Sequence, residues 1–238
     1  MLRMNMSRYL LAPALFGLLV PAWAGTLGLG MEGREPMKIV ELHNPIHPRS
    51  LMEVGVSKGY AEVLMKVDEA GQLEDWFVTA YSHKEFADSV VRAMKTWKFM
   101  PATMNGEAIG AITQVRFVFE AVGTVITQNA ATQMDAYRYR IEKLFSYKLA
   151  GLKDIDRLPV PVTMPSPAYP EKLSKRGGQV LLDFIIDETG KVRLPSVVSA
   201  DHAELAELAS MAVKNWTFEP PRQKGRPVAV RVQQRFDF

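Results

Sequence analysis

Nine landmarks recur in this chain at a fixed distance of 119 residues. Gly59, Asp68, Gly71, Trp97, Phe99, Pro101, Gly106, Phe117 and Phe119 answer to Gly178, Asp187, Gly190, Trp216, Phe218, Pro220, Gly225, Phe236 and Phe238, with no gap across about 60 positions. A period this long exceeds the ~20–50-residue unit of a solenoid and fits duplication of a small domain. The 238 residues therefore read as two copies of one fold, plus a leader and a connector. A domain of ~75 residues buries only about 60% of its unfolded surface and is marginal alone. Contact between the copies is expected, and apolar Ile112 and Val118, on the nominally outward face of the first copy's last strand, are candidates for it.

Within the first copy, residues 36–120, a short helix-like piece is expected around Arg49 to Val54. Tyr60 to Asp68 then alternates, with Ala61, Val63, Met65 and Val67 on one face, as a half-buried strand does. Asp68-Glu69-Ala70-Gly71 supplies a hairpin turn whose glycine can take positive φ, and Leu73 to Ala80 returns as the second strand. Ser82-His83-Lys84-Glu85 has the spacing of a capping box. The helix it opens carries Phe86, Val90, Ala93 and Trp97 on one stripe and is predicted to run to Lys98. After the Asn105-Gly106 turn, Ile109, Ala111, Thr113, Val115, Phe117 and Phe119 share one face of a long third strand.

The second copy, residues 166–238, repeats this plan. A short helix is expected from Ala168 through Ser174, and Val180, Leu182, Phe184 and Ile186 line the inner face of the first strand. Leu181 and Ile185 make its outer face apolar too, which marks a central strand. Asp187-Glu188-Thr189-Gly190 repeats the turn, and Asp201-His202-Ala203-Glu204 the capping-box spacing. Leu205, Ala209, Ala212 and Trp216 reproduce the helix stripe. In the last strand, Val228 to Phe238, Val230, Val232, Phe236 and Phe238 face inward while Arg231, Gln233, Arg235 and Asp237 face out. Pro195 confines the second strand to an edge or a bulge, because proline cannot donate to the ladder. The favoured strand order is thus two, one, three. The fold class is α+β: two tandem small domains, each a three-stranded antiparallel sheet with two helices packed on one face.

Residues 121–165 connect the copies. Thr127 or Asn129 can cap a helix running to Leu149, with Gly151 as its stop. Its stripe of Met134, Tyr137, Ile141, Leu144 and Phe145 suits docking on a domain or, alternatively, a dimer seam. Pro159, Pro161, Pro165 and Pro167 then make an extended, stiff lead. Residues 1–24 read as a cleavable signal peptide: Arg3 and Arg8, an apolar run from Tyr9 to Val20, and an A-x-A site at Ala22-Trp23-Ala24. An uncleaved membrane anchor is the rival, but it needs about 20 apolar residues, and this run is broken by Pro13.

The second copy resembles the C-terminal domain of TonB-type energy transducers. The residues that carry the resemblance are Tyr169-Pro170, the glycine before the strand ending Ile186-Asp187, Gly190-x-Val192, Val198-Ser199, Trp216-x-Phe218-x-Pro220 and Gly225-x-Pro227-Val228. The first copy is a diverged version: His47 replaces the tyrosine, three extra residues precede Gly59, and Ala108 replaces the proline after Gly106. The resemblance implies a periplasmic domain that binds extended peptides, notably the N-terminal box of outer-membrane transporters, as a strand added beside its own C-terminal strand. An unpaired edge offers the amides and carbonyls for this, and alternate side chains give selectivity. The expected edge is Val228, Ala229, Val230, Arg231, Val232, Gln233 and Gln234. The alternative is a structural or adaptor protein whose repeats pair with each other or form a homodimer, without energy transduction. Membrane association is expected only if the leader is retained, and no long proline-rich spacer precedes the domain.

No other chemistry is expected. The net charge of +3 includes Arg3 and Arg8 of the leader, leaving no basic excess for nucleic acid. Cysteine is absent, which excludes disulfides and thiolate sites. His43 and His47 have helical metal spacing, but Pro45 prevents the helix, so no metal or cofactor is expected. Asp68 and Asp187 each occupy a hairpin corner, where aspartate bonds its own backbone. Phosphate loops and hydrolase motifs are absent, so the chain is not read as an enzyme. Arg222, Lys224, Arg226, Arg231 and Arg235 form a basic cluster that suits either an acidic peptide or a solvated face.

Overall fold

The computed structural model describes residues 33–120, 146–167 and 177–238. In the first repeat β1 (Lys38–Glu41) and α1 (Arg49–Glu53) lead into β2 (Lys58–Val67) and β3 (Leu73–Tyr81). They are followed by α2 (Lys84–Met94), β4 (Lys98–Met100) and β5 (Ala111–Glu120). The connector contributes β6 (Tyr147–Lys148) and β7 (Pro161–Thr163). The second repeat contains β8 (Gln179–Ile186), β9 (Val192–Ala200), α3 (Ala203–Lys214), β10 (Thr217–Phe218) and β11 (Val230–Asp237). The two main sheets have orders β5-β2-β3-β6 and β9-β8-β11, all antiparallel. The expected order of two, one, three holds in both repeats, with β6 added to the first as a fourth strand. Among the described residues no helix is long and apolar enough to cross a membrane.

The alternation sets the core. Ala61, Val63, Met65 and Val67 are wholly buried beneath Phe86, Val90 and Met94 of α2. Val180, Leu182, Phe184 and Ile186 play the same part beneath Leu205, Ala209 and Val213 of α3. Each large apolar side chain so placed contributes about 1.5–3 kcal/mol. Trp97 and Phe99, and Trp216 and Phe218, close the open ends of these cores.

The turn aspartates have the structural role expected of them. Asp68 Oδ1 accepts from the amides of Ala70 and Gln72 at 2.9 and 2.7 Å. Asp187 Oδ1 accepts from Thr189 and Lys191 at 2.9 and 3.0 Å. The glycine three residues on is demanded twice over. Gly71 and Gly190 have φ of 77° and 86°, and a Cβ on Gly190 would fall 1.9 Å from the carbonyl oxygen of Phe218. Phe218 in turn donates its amide to the Gly190 carbonyl at 2.8 Å. The recurrent glycine and the recurrent Trp-x-Phe are thus two sides of one contact.

Several expectations are corrected. The capping boxes do not cap. Ser82 Oγ accepts instead from the amide of Tyr60 at 3.0 Å, and the equivalent Asp201 Oδ2 from Gln179 at 2.7 Å. Both residues thereby tie the start of the central strand to the start of the helix, a long-range demand that outweighs the local motif. The first helix ends at Met94, because Lys98 is drawn into β4 opposite Glu41. Met94 is wholly buried where Ala93 is only half-buried, so the stripe runs through Met94.

The connector helix cannot reach Leu149. The part of it expected before residue 146, from Thr127 or Asn129 onward, lies outside the described residues, and Tyr147–Lys148 form a strand beside Ala80 and Tyr81. Tyr147 stacks on Tyr81 with ring centroids 5.3 Å apart, which favours the extended edge over a final helical turn. The expected helix over Ala168 to Ser174 and the leader also lie outside the described residues. The proline lead is extended as expected, and Pro161–Thr163 pair with Thr217–Phe218.

The two repeats meet through the backs of their sheets. Leu64, Ile185, Leu194 and Ala229 are buried together, with Phe77, Ile112 and Leu149 packed around them. Arg193 crosses the seam to pair with Asp75 and to donate to the Trp76 carbonyl at 3.3 Å. Ile112 joins this contact as expected, whereas Val118 is 66% exposed and does not. Leu194 reaches the seam through a bulge. Leu194 and Pro195 fall where the pairing of β8 with β9 shifts register, and Leu194 adopts φ 49°. A bulge bends its strand and re-aims a side chain, and here it also absorbs the proline.

Candidate functional site

β11 is the last strand of its sheet, paired on its inner side with β8 from Gln179 opposite Asp237 to Ile186 opposite Val230 without a register shift. In an antiparallel ladder alternate residues of a strand turn their backbone groups to the same neighbour. Phe238 exchanges both backbone bonds with Gly178, at 2.9 and 3.3 Å, which assigns the even-numbered residues to β8. Arg231, Gln233, Arg235 and Asp237 therefore turn their amides and carbonyls to the outer edge.

That edge is not uniform. Ala150 of the connector bridges Val230 in parallel, donating to the Ala229 carbonyl at 3.2 Å and accepting from the Arg231 amide at 3.1 Å. Beyond it, no described residue offers a backbone partner to Gln233, Arg235 or Asp237. The Arg235 carbonyl accepts from the Gln234 side-chain amide at 2.7 Å.

Of the seven residues expected at the site, Val228 is half-buried and precedes the strand, its amide bonded to the Pro221 carbonyl at 2.9 Å. Ala229 and Val230 are wholly buried, the first between the repeats and the second in the core. Arg231 and Val232 are half-buried, and Gln233 and Gln234 are exposed. Arg235 and Asp237, beyond the expected range, share the exposed edge.

Arg231 is engaged on the sheet's outer face. Its guanidinium lies against the buried Asp183 carboxylate, with Nε 2.9 Å from each oxygen. Asp183 is the single charge on β8, so a cation on a neighbouring strand was legible as its diagonal partner. The rest of the basic cluster is partly spoken for. Arg235 lies 3.4 Å from Asp237, and Arg222 donates to the Gly225 carbonyl at 2.7 Å. The amides of Lys224 and Gly225 bond Asp156, and these two bonds hold the Asp156 carboxyl below its usual range. Arg222, Lys224 and Arg226 thus sit on a hairpin whose tip is fastened to the connector, while Arg231 and Arg235 belong to β11.

The histidines stand apart. His43 Nδ1 lies 3.2 Å from the Thr96 hydroxyl, and the His47 ring packs edge-on against Phe86 at 5.2 Å. His47 thus packs as an aromatic ring against Phe86 and Phe119 of the first repeat's core. Among the described residues no three His, Asp or Glu side chains are grouped to hold a metal ion.

Ala150 was invisible to sequence reasoning, since an alanine 80 residues from its partner carries no signal. No curated protein matches the chain. The model of the family described as Gram-negative bacterial TonB protein C-terminal matches residues 44–121 and again 165–238, together more than half of the chain. Both matched segments contain the glycine turn, the Trp-x-Phe contact and the closing strand described above, and the chain belongs to the TonB C-terminal family in two tandem copies.

Proposed function

We propose that this protein is a periplasmic binding module that takes an extended segment of a protein partner as an added strand beside β11, in support of energy-dependent transport across the outer membrane. Membership of a family of periplasmic protein-interaction modules tied to transport supports the setting. The observation that carries the binding mode is the run of outward backbone groups at Gln233, Arg235 and Asp237 with no described backbone partner. A strand edge of this kind gives affinity through main-chain bonds and selectivity through alternate side chains. Gln233, Arg235 and Asp237 face one side of an incoming strand, and Gln234 and Phe236 the other. Within the expected stretch from Val228 to Gln234, the C-terminal residues are the accessible ones. The partner class is the short extended N-terminal segment of an outer-membrane transporter, delivered to a protein exported by its leader. The test is amide exchange of the full chain with a saturating peptide of that kind. Protection of β11 amides supports the reading, and unchanged exchange throughout β11 removes it.

A second reading has one observation in its favour. The buried seam of Leu64, Ile185, Leu194 and Ala229 fits an adaptor whose repeats serve chiefly to hold each other. Under that reading the peptide leaves β11 exchange unchanged and the protein behaves as a compact monomer or dimer in sedimentation.

A further inference from the structure

The connector between Tyr147 and Gly151 is bonded as a strand to both repeats at once. Tyr147 and Lys148 pair with Tyr81 and Ala80 on the outer edge of β3. Leu149 donates to the Thr79 carbonyl at 2.7 Å, and one residue later Ala150 makes its two bonds with Ala229 and Arg231 on the outer edge of β11. The side chains hold the segment in place. Tyr147 lies on Tyr81, Leu149 packs into the seam between the repeats, and Ala150 is 7% exposed. The chain then leaves the edge abruptly. Asp154 Oδ2 accepts the Gly151 amide at 2.9 Å, and the Asp154 amide donates back to the Gly151 carbonyl at 3.0 Å. This turn carries the connector away before it can meet Gln233.

We infer that Tyr147–Gly151 is an edge guard that fixes where strand addition on β11 can begin, confining an incoming segment to the backbone groups of Gln233, Arg235 and Asp237 and excluding it from the Ala229 carbonyl and the Arg231 amide. The inference rests on the strand-addition reading above and sets the length and register of the ligand that reading requires. Five residues of β11, Gln233 to Asp237, span ~17 Å at about 3.4 Å per residue. A segment of about that length satisfies the open edge. A longer one can extend past Arg231 only by breaking both Ala150 bonds and drawing Leu149 out of an apolar seam. Buried amides and carbonyls left unpaired are costly, so affinity stops rising with ligand length once the open edge is filled. The guard also blocks the end of the edge that lies closest to the first repeat.

The test uses the full chain and end-capped peptides of alternating valine and threonine, four to nine residues long, read by residue-resolved amide exchange and by titration. The expected result is protection at Gln233, Arg235 and Asp237, unchanged exchange at Leu149, Ala150 and Arg231, and an affinity that levels off beyond about five residues. In Ala150→Pro, which lacks the donor to Ala229, the nonapeptide gains at least about threefold in affinity and now perturbs Arg231, while the pentapeptide is unaffected. Leu149→Ala, which loosens the seam without a proline, shifts the same way more weakly. Faster exchange at Leu149 and Ala150 when the nonapeptide binds the unaltered protein overturns the guard while leaving strand addition intact. Absence of any response in β11 to every peptide overturns both.

Discussion

The indole N–H of Trp216 donates to the backbone carbonyl of Pro165 at 2.9 Å, fixing the extended lead of the second repeat across the end of its core. Trp97 makes the same bond to His43 at the same distance. The partners are offset by three residues more than the tryptophans are, which matches the three extra residues before Gly59. A bond kept through an insertion marks a shared requirement of both copies. Trp216→Phe keeps most of the apolar bulk but strands a carbonyl, so a loss of about 1–3 kcal/mol is expected, measured by urea denaturation. Trp97→Phe should cost a similar amount.

Gly190→Ala combines a left-handed backbone with a Cβ placed inside the Phe218 carbonyl. Strain of order 1–3 kcal/mol attends the conformation alone, and relieving the clash displaces the Trp-x-Phe segment as well. A loss of about 3 kcal/mol or more is expected in thermal or denaturant unfolding. Gly71→Ala meets Phe99 at 2.5 Å and should be milder.

Burial pushes the Asp187 carboxyl up, but the Thr189 hydroxyl and the amides of Lys191 and Thr189 together outweigh it and leave it below its ordinary value. A carboxyl lowered by folding stabilises the native state above its unfolded value, about 3.9, and loses that contribution as pH falls through its folded value. Stability should therefore be flat near neutral pH with respect to this group and decline below about pH 4. Asp187→Asn cannot titrate, so its deficit relative to the unaltered protein should shrink as the medium is acidified, which denaturant midpoints at pH 7, 5 and 3 will show.

Arg231→Ala should act first on stability. Its partner Asp183 has a side chain only 9% exposed, and removing one member of a buried pair leaves an uncompensated charge, typically at a cost of about 3–5 kcal/mol. Arg231 is itself 32% exposed, so a value of about 3 kcal/mol, at the lower end of that range, is expected. The double variant Arg231→Leu with Asp183→Leu should recover most of the loss. Circular-dichroism melting of the three proteins decides the matter.

The duplication, the strand order and the core stripes were legible because they depend on periodicity and on residues with a single physical meaning, such as Pro195, Gly71 and Gly190. The capping boxes were misread because Ser82 and Asp201 satisfy backbone groups 22 residues away in preference to nearby ones, and spacing alone cannot distinguish the two. The outward direction of the last strand's odd residues was also legible. The extent of the edge without a backbone partner among the described residues was not, because it depends on Ala150, whose role is carried by its backbone. The helical pattern up to Leu149 likewise could not anticipate that the Tyr81 ring and the β3 edge would compete for Tyr147.

The seam built from Leu64, Ile185, Leu194 and Ala229 separates the unit that was copied from the unit that folds. Either copy released on its own would present the apolar back of its sheet to water, together with unsatisfied strand edges. Proteolysis within the connector would therefore yield halves that stay associated, and expression of one half alone would yield a protein prone to self-association. Duplication converted two outer surfaces into a second interior, so later change at these positions is constrained in pairs across copies as well as within each.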